Sequence, residues 1–421
     1  MNLISKVSTS AMFTKGLVFF DQALVSGSNF LLGVLLVRSI GLDNYGVFAL
    51  LWMGVLFALG INQAFIIKPL LSLAPQMNKD KQSNYLTGLH TIQLFVSVLF
   101  LMLGLGTFLF SKLFFEEHIY VLFPLLSLII LCQTLHDFYR KIYLVKNKIQ
   151  KVLILDIVLY GGQLIGVFSL MVFDQVNLIN TLIIIFGVNF LSVIIGMYQQ
   201  GFSLFNCKNI LVRHFHFSKW LLGTSVLQWL SGNYFIIVGA SILGTSAVGA
   251  IRMVQNIMGL CHILFLAMES IIPIEAAQKF HAEGEDGLTQ YLIKMTKQLG
   301  LGFGLLLIVI ALFSTPILSL VYGEVAVQFS FVVFAYVILY ALVFVGHPLR
   351  FYLRTIEKTS PIFIAYVFGT IFSFSFAHLF LNLFEIYGLL LGLILTQLIS
   401  VFTYYVFSVQ SKKVSIQKVN N

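Results

Sequence analysis

Charge is what this sequence has least of. Lys and Arg number 25, Asp and Glu 16, in 421 residues, so only 10% of the chain is charged. A soluble domain carries roughly 25%, and the shortfall leaves too little polar surface to cover a water-soluble globule. Cysteine occurs three times, at Cys132, Cys207 and Cys261. That scatter fits neither a disulfide framework nor a zinc spacing, and the three are expected to pack as apolar residues. No Gly-x4-Gly-Lys-Ser/Thr loop is present, which removes ATP as a direct energy source, and no HExxH or paired-cysteine motif suggests a metal. The segments of about ten alternating residues that build a membrane barrel do not occur. No catalytic constellation is found, so neither an enzyme activity nor a cofactor is expected.

What fills the chain is apolar. Hydrophobic residues make up 59% of it and the mean hydropathy is +0.97. The apolar residues fall in runs of about 18–25, the length that crosses a hydrocarbon core as helix. Backbone amides in lipid must be paired within their own segment, so each run is expected to be helical. The pattern predicts twelve spans, at 16–38, 46–67, 88–110, 119–137, 152–173, 178–198, 219–243, 247–275, 295–318, 325–347, 360–383 and 386–408. The first run follows a mildly polar start but lacks a small-residue cleavage site, so it reads as a retained helix. The expected fold is therefore all-α and polytopic, with six helices in residues 1–205 and six in 206–421.

The gaps between spans alternate between short and long. The long ones hold most of the basic residues, among them Lys79, Lys81, Arg140, Lys141, Lys146, Lys148, Lys208, Arg213, Lys279, Arg350, Arg354 and Lys412. By the positive-inside rule both termini are then cytoplasmic. Lys112 and Arg38 fall on the other side, and Arg252 falls inside a span. The net charge of +9 is accounted for by this spread along the chain, which speaks against a nucleic-acid partner.

A weak internal repeat supports the division into halves. Gly41-Leu-Asp-Asn-Tyr-Gly46 joins the first two spans, and Gly244-Thr-Ser-Ala-Val-Gly249 joins the seventh and eighth, 203 positions later. Six helices separate the copies, so both enter the membrane from the same side. Such parallel repeats place a substrate between two bundles.

The stretch from Ser26 to Ala49, with Arg38, Gly41, Tyr45, Gly46 and Phe48 at its centre, resembles the opening of bacterial polysaccharide flippases. These belong to the multidrug, oligosaccharidyl-lipid and polysaccharide exporter superfamily. The resemblance implies alternating access by two bundles in a bacterial inner membrane, with Arg38 and the four glycines as a gate and repeat motif. It implies a polyprenyl-diphosphate-linked O-antigen-type oligosaccharide as cargo, and a saccharide polymerase as a possible partner beside the bilayer. A drug or small-cation antiporter of the same superfamily is the alternative.

Ionisable groups within a span cost free energy and are candidates for function. Three acids qualify, Asp21, Asp156 and Glu269, each readable as a proton-coupling carboxylate. Asp21 and Asp156 could equally pair with Lys15 and Lys151. Arg252, Gln255, Asn256, Gly259, His262 and Glu269 lie on one face of the eighth span, opposite Ile251, Ile257 and Met258. That stripe either lines an aqueous cavity or bonds neighbouring helices. In the first case Arg252, Gln255, Asn256 and His262 are substrate ligands, with Arg252 as the fork for a phosphate. Arg350 and Arg354, one turn apart, either meet a diphosphate at the cytoplasmic mouth or serve as topology signals. His262 and His378 read as buried histidines, and Glu283, Glu285 and Asp286 as a solvated loop.

Overall fold

The computed structural model describes residues 2–111, 121–200 and 207–419, and every regular element among them is helical. The gap expected at 111–118, with Lys112, lies mostly outside them, as do the side chains of Lys6, Lys15, Lys413 and Lys418. Among the described residues, nine segments are long and apolar enough to cross a bilayer. Three of these, Phe20–Gln76, Cys261–Leu312 and Ser360–Lys412, are 57, 52 and 53 residues long. A single span needs only about 20. Each is interrupted once by a residue of positive φ: Gly41 at 76°, Gly284 at 68° and Glu385 at 49°. Dividing them there raises the nine to twelve spans, the number expected.

The elements in order are α1 (Asn2–Asn62), α2 (Lys68–Leu73), α3 (Lys79–Ser111), α4 (Leu122–Val145), α5 (Ile149–Asp156), α6 (Gly162–Val172) and α7 (Leu178–Gln200). They are followed by α8 (Lys208–Leu243), α9 (Thr245–Ile257), α10 (Gly259–Leu312), α11 (Ser314–Tyr322), α12 (Ser330–Thr355) and α13 (Ser360–Val419). Two five-residue π-helical turns, Gln63–Ile67 and Ile157–Gly161, interrupt the second and fifth spans.

The chain forms two compact units. The N-terminal unit is Met1–Gly41 with Phe48–Val226; the C-terminal unit is Leu42–Val47 with Leu227–Asn421. In the N-terminal unit the core is built on α3, α4 and α7. Leu86, Leu89, Phe138, Tyr139, Ile142 and Leu155 are buried together. Small residues admit the close packing that helices in lipid require: a Cβ at Gly196 would sit 2.6 Å from the Tyr139 ring. Hydrogen bonds then join the helices, from Tyr143 to the Gly196 carbonyl at 3.0 Å and between His90 and Tyr139 at 2.8 Å. The outward faces carry Leu103, Ile165, Phe168 and Val172, all exposed, as a lipid-facing surface requires.

In the C-terminal unit, Phe265 stacks on His347 at 4.6 Å and Phe303 on Phe344 at 4.9 Å, tying α10 to α12. Residues 42–47 pack here through two close glycine contacts, one at Gly46 and one at Gly249. A Cβ on Gly46 would run into the Thr245 carbonyl, and one on Gly249 into the Leu42 carbonyl. Gly41 and Gly244 both adopt a left-handed φ, with backbone angles of 76°/171° and 85°/173°. L side chains rarely adopt that region. The two copies of the sequence repeat thus share one backbone conformation.

The acidic stretch at 283–287 sits at the break between the two helices that make up α10, where Gly284 adopts a positive φ of 68°. Glu283 pairs with Lys279 at 2.5 Å, Asp286 with Lys412 at 3.3 Å, and Glu285 accepts the Tyr352 hydroxyl. The expectation of buried histidines at His262 and His378 needs correction: both are exposed, the latter because Ala377 and Leu381 take the inward face of that helix. The buried histidines are His90, His136, His214 and His347.

Candidate functional site

Two clusters of charge stand out, one inside each unit. The N-terminal cluster is organised by Arg140. The sequence counted this residue among the basic residues of a long gap and left Asp21 and Asp156 either to pair with lysines or to carry protons; in the structure the three side chains meet. Arg140 lies inside α4, with its side chain 14% exposed. Its Nη2 donates to Asp21 Oδ2 and its Nε to Asp156 Oδ2, both at 2.6 Å. Lys151 instead reaches the Gln199 carbonyl at 3.5 Å and lies over the Tyr143 ring. The two carboxylates are 2% and 0% exposed, so one guanidinium serves two buried acids.

The shortfall of positive charge is met by His136, one turn before Arg140. Its Nε2 is 3.1 Å from Asp156 Oδ1, and its Nδ1 is 2.8 Å from Ser192 Oγ. Ser192 Oγ also lies 3.3 Å from the Leu155 carbonyl. When the serine donates to that carbonyl it must accept from Nδ1–H, and both ring nitrogens then carry protons. When it donates to Nδ1 the ring is neutral. The cluster therefore has one hydrogen-bond arrangement for each protonation state of His136. Asp21 Oδ1 is buried without a partner. A fourth acid that the sequence reading missed, Asp137, accepts from Gln63 at 2.6 Å beside the π-turn in the second span.

The C-terminal cluster has the opposite balance. Glu269 accepts from Arg350 and, at 2.9 Å, from Arg354, with His347 Nε2 3.9 Å away. One carboxylate here faces two guanidiniums. Arg252 forms no ion pair among the described residues. Its Nη1 donates to Gln255 Oε1 at 2.7 Å, Gln255 passes the bond to the Tyr336 hydroxyl at 2.8 Å, and Asn256 donates to the Tyr322 hydroxyl at 2.9 Å.

The expected stripe on the eighth span is thus divided. Ile251, Ile257 and Met258 form its buried side, as the periodicity requires. The polar side turns Arg252, Gln255 and Asn256 to tyrosines, and sends Glu269 to arginines. His262 reaches a cavity of about 380 Å³ within the C-terminal unit. Of the five expected substrate ligands only His262 and Arg350 line that cavity. Arg38, Gly41, Gly46, Gly244 and Gly249 all lie at or beside the two left-handed junctions, where Ser246 also donates to Asp43.

This arrangement of twelve spans matches known transporters. An inward-facing multidrug resistance MATE family transporter of the MOP superfamily aligns with a TM-score of 0.71 at 12% identity, over 95% of this chain and 96% of that one. The fold is that of MOP-superfamily transporters. Lipid II flippase MurJ in an inward closed conformation aligns at 0.63 and 16% identity, over 95% and 87% of the two chains. A MOP-superfamily transporter from Pyrococcus furiosus, described as having a binding pocket of reverse polarity, aligns at 0.58 and 11% identity, over 97% and 95%. No protein-family model matches the sequence. No curated protein matches it either. The solved structures that share the fold are transporters and flippases rather than enzymes.

Proposed function

We propose that this chain carries a lipid-linked anionic saccharide, of the polyprenyl-diphosphate type, from the cytoplasmic to the outer leaflet of a bacterial inner membrane by alternating access. The observation that carries this reading is the state of the charges. A cationic drug needs free carboxylates, whereas a diphosphate needs free guanidinium. Asp21, Asp156 and Glu269 each have an arginine partner. Among the described residues Arg252 is bonded to the Gln255 amide alone, and an arginine inside a membrane calls for an anion, water or carbonyl oxygens. Its planar fork fits two phosphate oxygens, with Gln255 and Asn256 beside it to bind further oxygens. Arginine excess near Glu269 adds to the same polarity. In this reading Asp21, Asp156 and His136 form the proton-coupling site, since one added proton brings two acids, one arginine and one histidine to neutrality. The cytoplasmic termini follow from the distribution of lysine and arginine.

The test is substitution of Arg252 in cells whose surface polysaccharide depends on this chain. Arg252→Ala is expected to abolish export at normal protein abundance, while Arg252→Lys, which keeps charge without the fork, retains part of it. Full export by Arg252→Ala, or export unchanged alongside loss of resistance to a cationic drug, overturns the reading in favour of the antiporter.

A further inference from the structure

The cavity in the C-terminal unit has a use that Arg252 does not cover. It measures about 380 Å³ and is lined by His262, His347, Arg350, Tyr366, Gln397 and Tyr404, among others. Ligand sites span roughly 300–1,000 Å³, so this one fits a single sugar residue with its charged group and not a whole oligosaccharide. Its wall holds hydroxyl, amide and imidazole groups on an aromatic floor, the set that binds hydroxylated rings. No carboxylate lies among its lining residues.

Arg350 is the charged group in that wall, and its bonding is incomplete. Nη2 is on Glu269, but Nε is buried without a partner. A guanidinium has five donors in a fixed fork, and a buried donor left unbonded costs free energy. His262 likewise has ring contacts with Phe265 and Tyr340 but no hydrogen bond at either nitrogen among the described residues. Glu269 meanwhile holds two guanidiniums, so the cluster carries one positive charge more than it needs.

We infer that this cavity binds the anionic group of one acidic sugar residue, a carboxylate or a phosphate on a hydroxylated ring, and that Glu269 is an internal stand-in which the ligand displaces from Arg350. Exposure makes the exchange cheap. Glu269 is 32% and Arg354 42% exposed, against 18% for Arg350. The Glu269–Arg354 pair can therefore turn toward water intact, leaving Arg350 to the incoming anion. The Arg350 fork then takes two oxygens instead of one, and His262 and Gln397 meet ring hydroxyls. When the ligand leaves, Glu269 closes on Arg350 again, so the empty site is never left with a bare guanidinium. The inference rests on the reading of the chain as a saccharide transporter, and it fixes what the saccharide must contain.

Binding to the purified full-length chain in lipid nanodiscs tests it, read by calorimetry with glucuronate, glucose 1-phosphate, inorganic phosphate, glucose and the tetraphenylphosphonium cation as probes. One of the two anionic sugars is expected to bind, and which one tells carboxylate from phosphate. Glucose and the cation are expected to fail. Glu269→Gln is expected to tighten the anionic sugar by roughly tenfold or more, because removing the stand-in frees the fork. A purely structural ion pair would give the reverse. Arg350→Gln is expected to abolish binding. Should it fail to fold, Gln397→Leu, which leaves the ion pairs intact, is expected to weaken the sugar severalfold and leave the fold unchanged. Weaker anion binding in Glu269→Gln, cation binding in the parent, or equal binding of inorganic phosphate overturns the inference. Binding is read without transport, so a chain that binds the acidic sugar but exports no saccharide overturns the transport reading instead.

Discussion

The N-terminal unit has two buried carboxylates on one arginine, and the C-terminal unit has one carboxylate on two. In the proposed function the difference divides two tasks within a single fold. A cluster short of positive charge has room for a proton, and His136 has one hydrogen-bond arrangement with it and another without it. A cluster with positive charge to spare has room for an anion. Burial sharpens the contrast. Asp156 and Asp21 are shut away from water, whereas Glu269 and Arg354 are partly wet. The first cluster cannot relax by solvation and must balance its charge with protons, while the second can open toward water and exchange partners.

The largest effect is expected at Arg140. Removing one member of a buried ion pair leaves an uncompensated charge, at about 3–5 kcal/mol, and here two carboxylates would lose their partner at once. Arg140→Gln is expected to lower abundance and to reduce the melting temperature in detergent. Adding Asp21→Asn to it should restore part of both, because the double change removes a negative charge along with the positive one. If the double variant is no better than Arg140→Gln alone, the account of this cluster as a shared balance is broken.

Next comes the proton. Asp156→Asn keeps the shape and the hydrogen-bonding reach but cannot ionise. Under an imposed pH gradient in proteoliposomes it is expected to lower transport on the order of tenfold or more, with little change in melting temperature. His136→Gln should do the same, since an amide cannot alternate between one ring proton and two. Undiminished gradient-driven transport in both variants would remove the proton from the N-terminal cluster and erase the division of tasks.

A smaller effect tests the glycine contacts that place residues 42–47 in the C-terminal unit. A methyl group on Gly46 would meet the Thr245 carbonyl and come within 3.2 Å of the Gly249 amide. Backbone atoms cannot move aside as a side-chain tip can. Gly46→Ala is expected to cost about 1–3 kcal/mol, seen as a lower melting temperature, whereas Gly27→Ala, with open space around it, should be close to neutral. Equal behaviour of the two would mean that this contact is not kept in the membrane.

Much of this was legible in the sequence. Length and hydropathy gave twelve spans because lipid leaves the backbone no other choice, and the repeated glycines marked two junctions that share one conformation. The Arg140 cluster was not legible for a physical reason. Counting basic residues treats every arginine near an inner edge as a topology signal, and nothing in that count says which way the side chain turns. The signal that was available is local: His136 and Arg140 are four apart, hence on one helical face, at the end of an apolar run. The break at Gly284 was legible in composition, since glycine and acids together mark a turn, and the i,i+4 pair of Lys279 and Glu283 marks the helix that leads into it. The stripe on the eighth span showed its face but not its partners, because Tyr322, Tyr336 and Arg350 lie 66 to 81 residues further along the chain.

The smallest effect is expected at Arg354, and it separates the two clusters most cleanly. Arg354 is bonded to Glu269 at 2.9 Å, a geometry as good as those around Arg140. Its side chain is 42% exposed, however, against 14% for Arg140. Solvent-exposed ion pairs contribute only about 0–1 kcal/mol, because water replaces much of the attraction when the pair is broken. Arg350 also remains on Glu269 when Arg354 is removed, so no buried charge is left alone. Arg354→Gln is therefore expected to shift the melting temperature by no more than a degree or two at this free-energy scale, and to change saccharide export less than threefold. The measurement is best made beside Arg140→Gln in the same detergent and the same cells. Two arginines with like bond lengths and unlike burial should then differ severalfold in cost. A loss at Arg354 as large as that at Arg140 would mean that the C-terminal cluster is as tightly balanced as the N-terminal one, with no positive charge to spare for an anion.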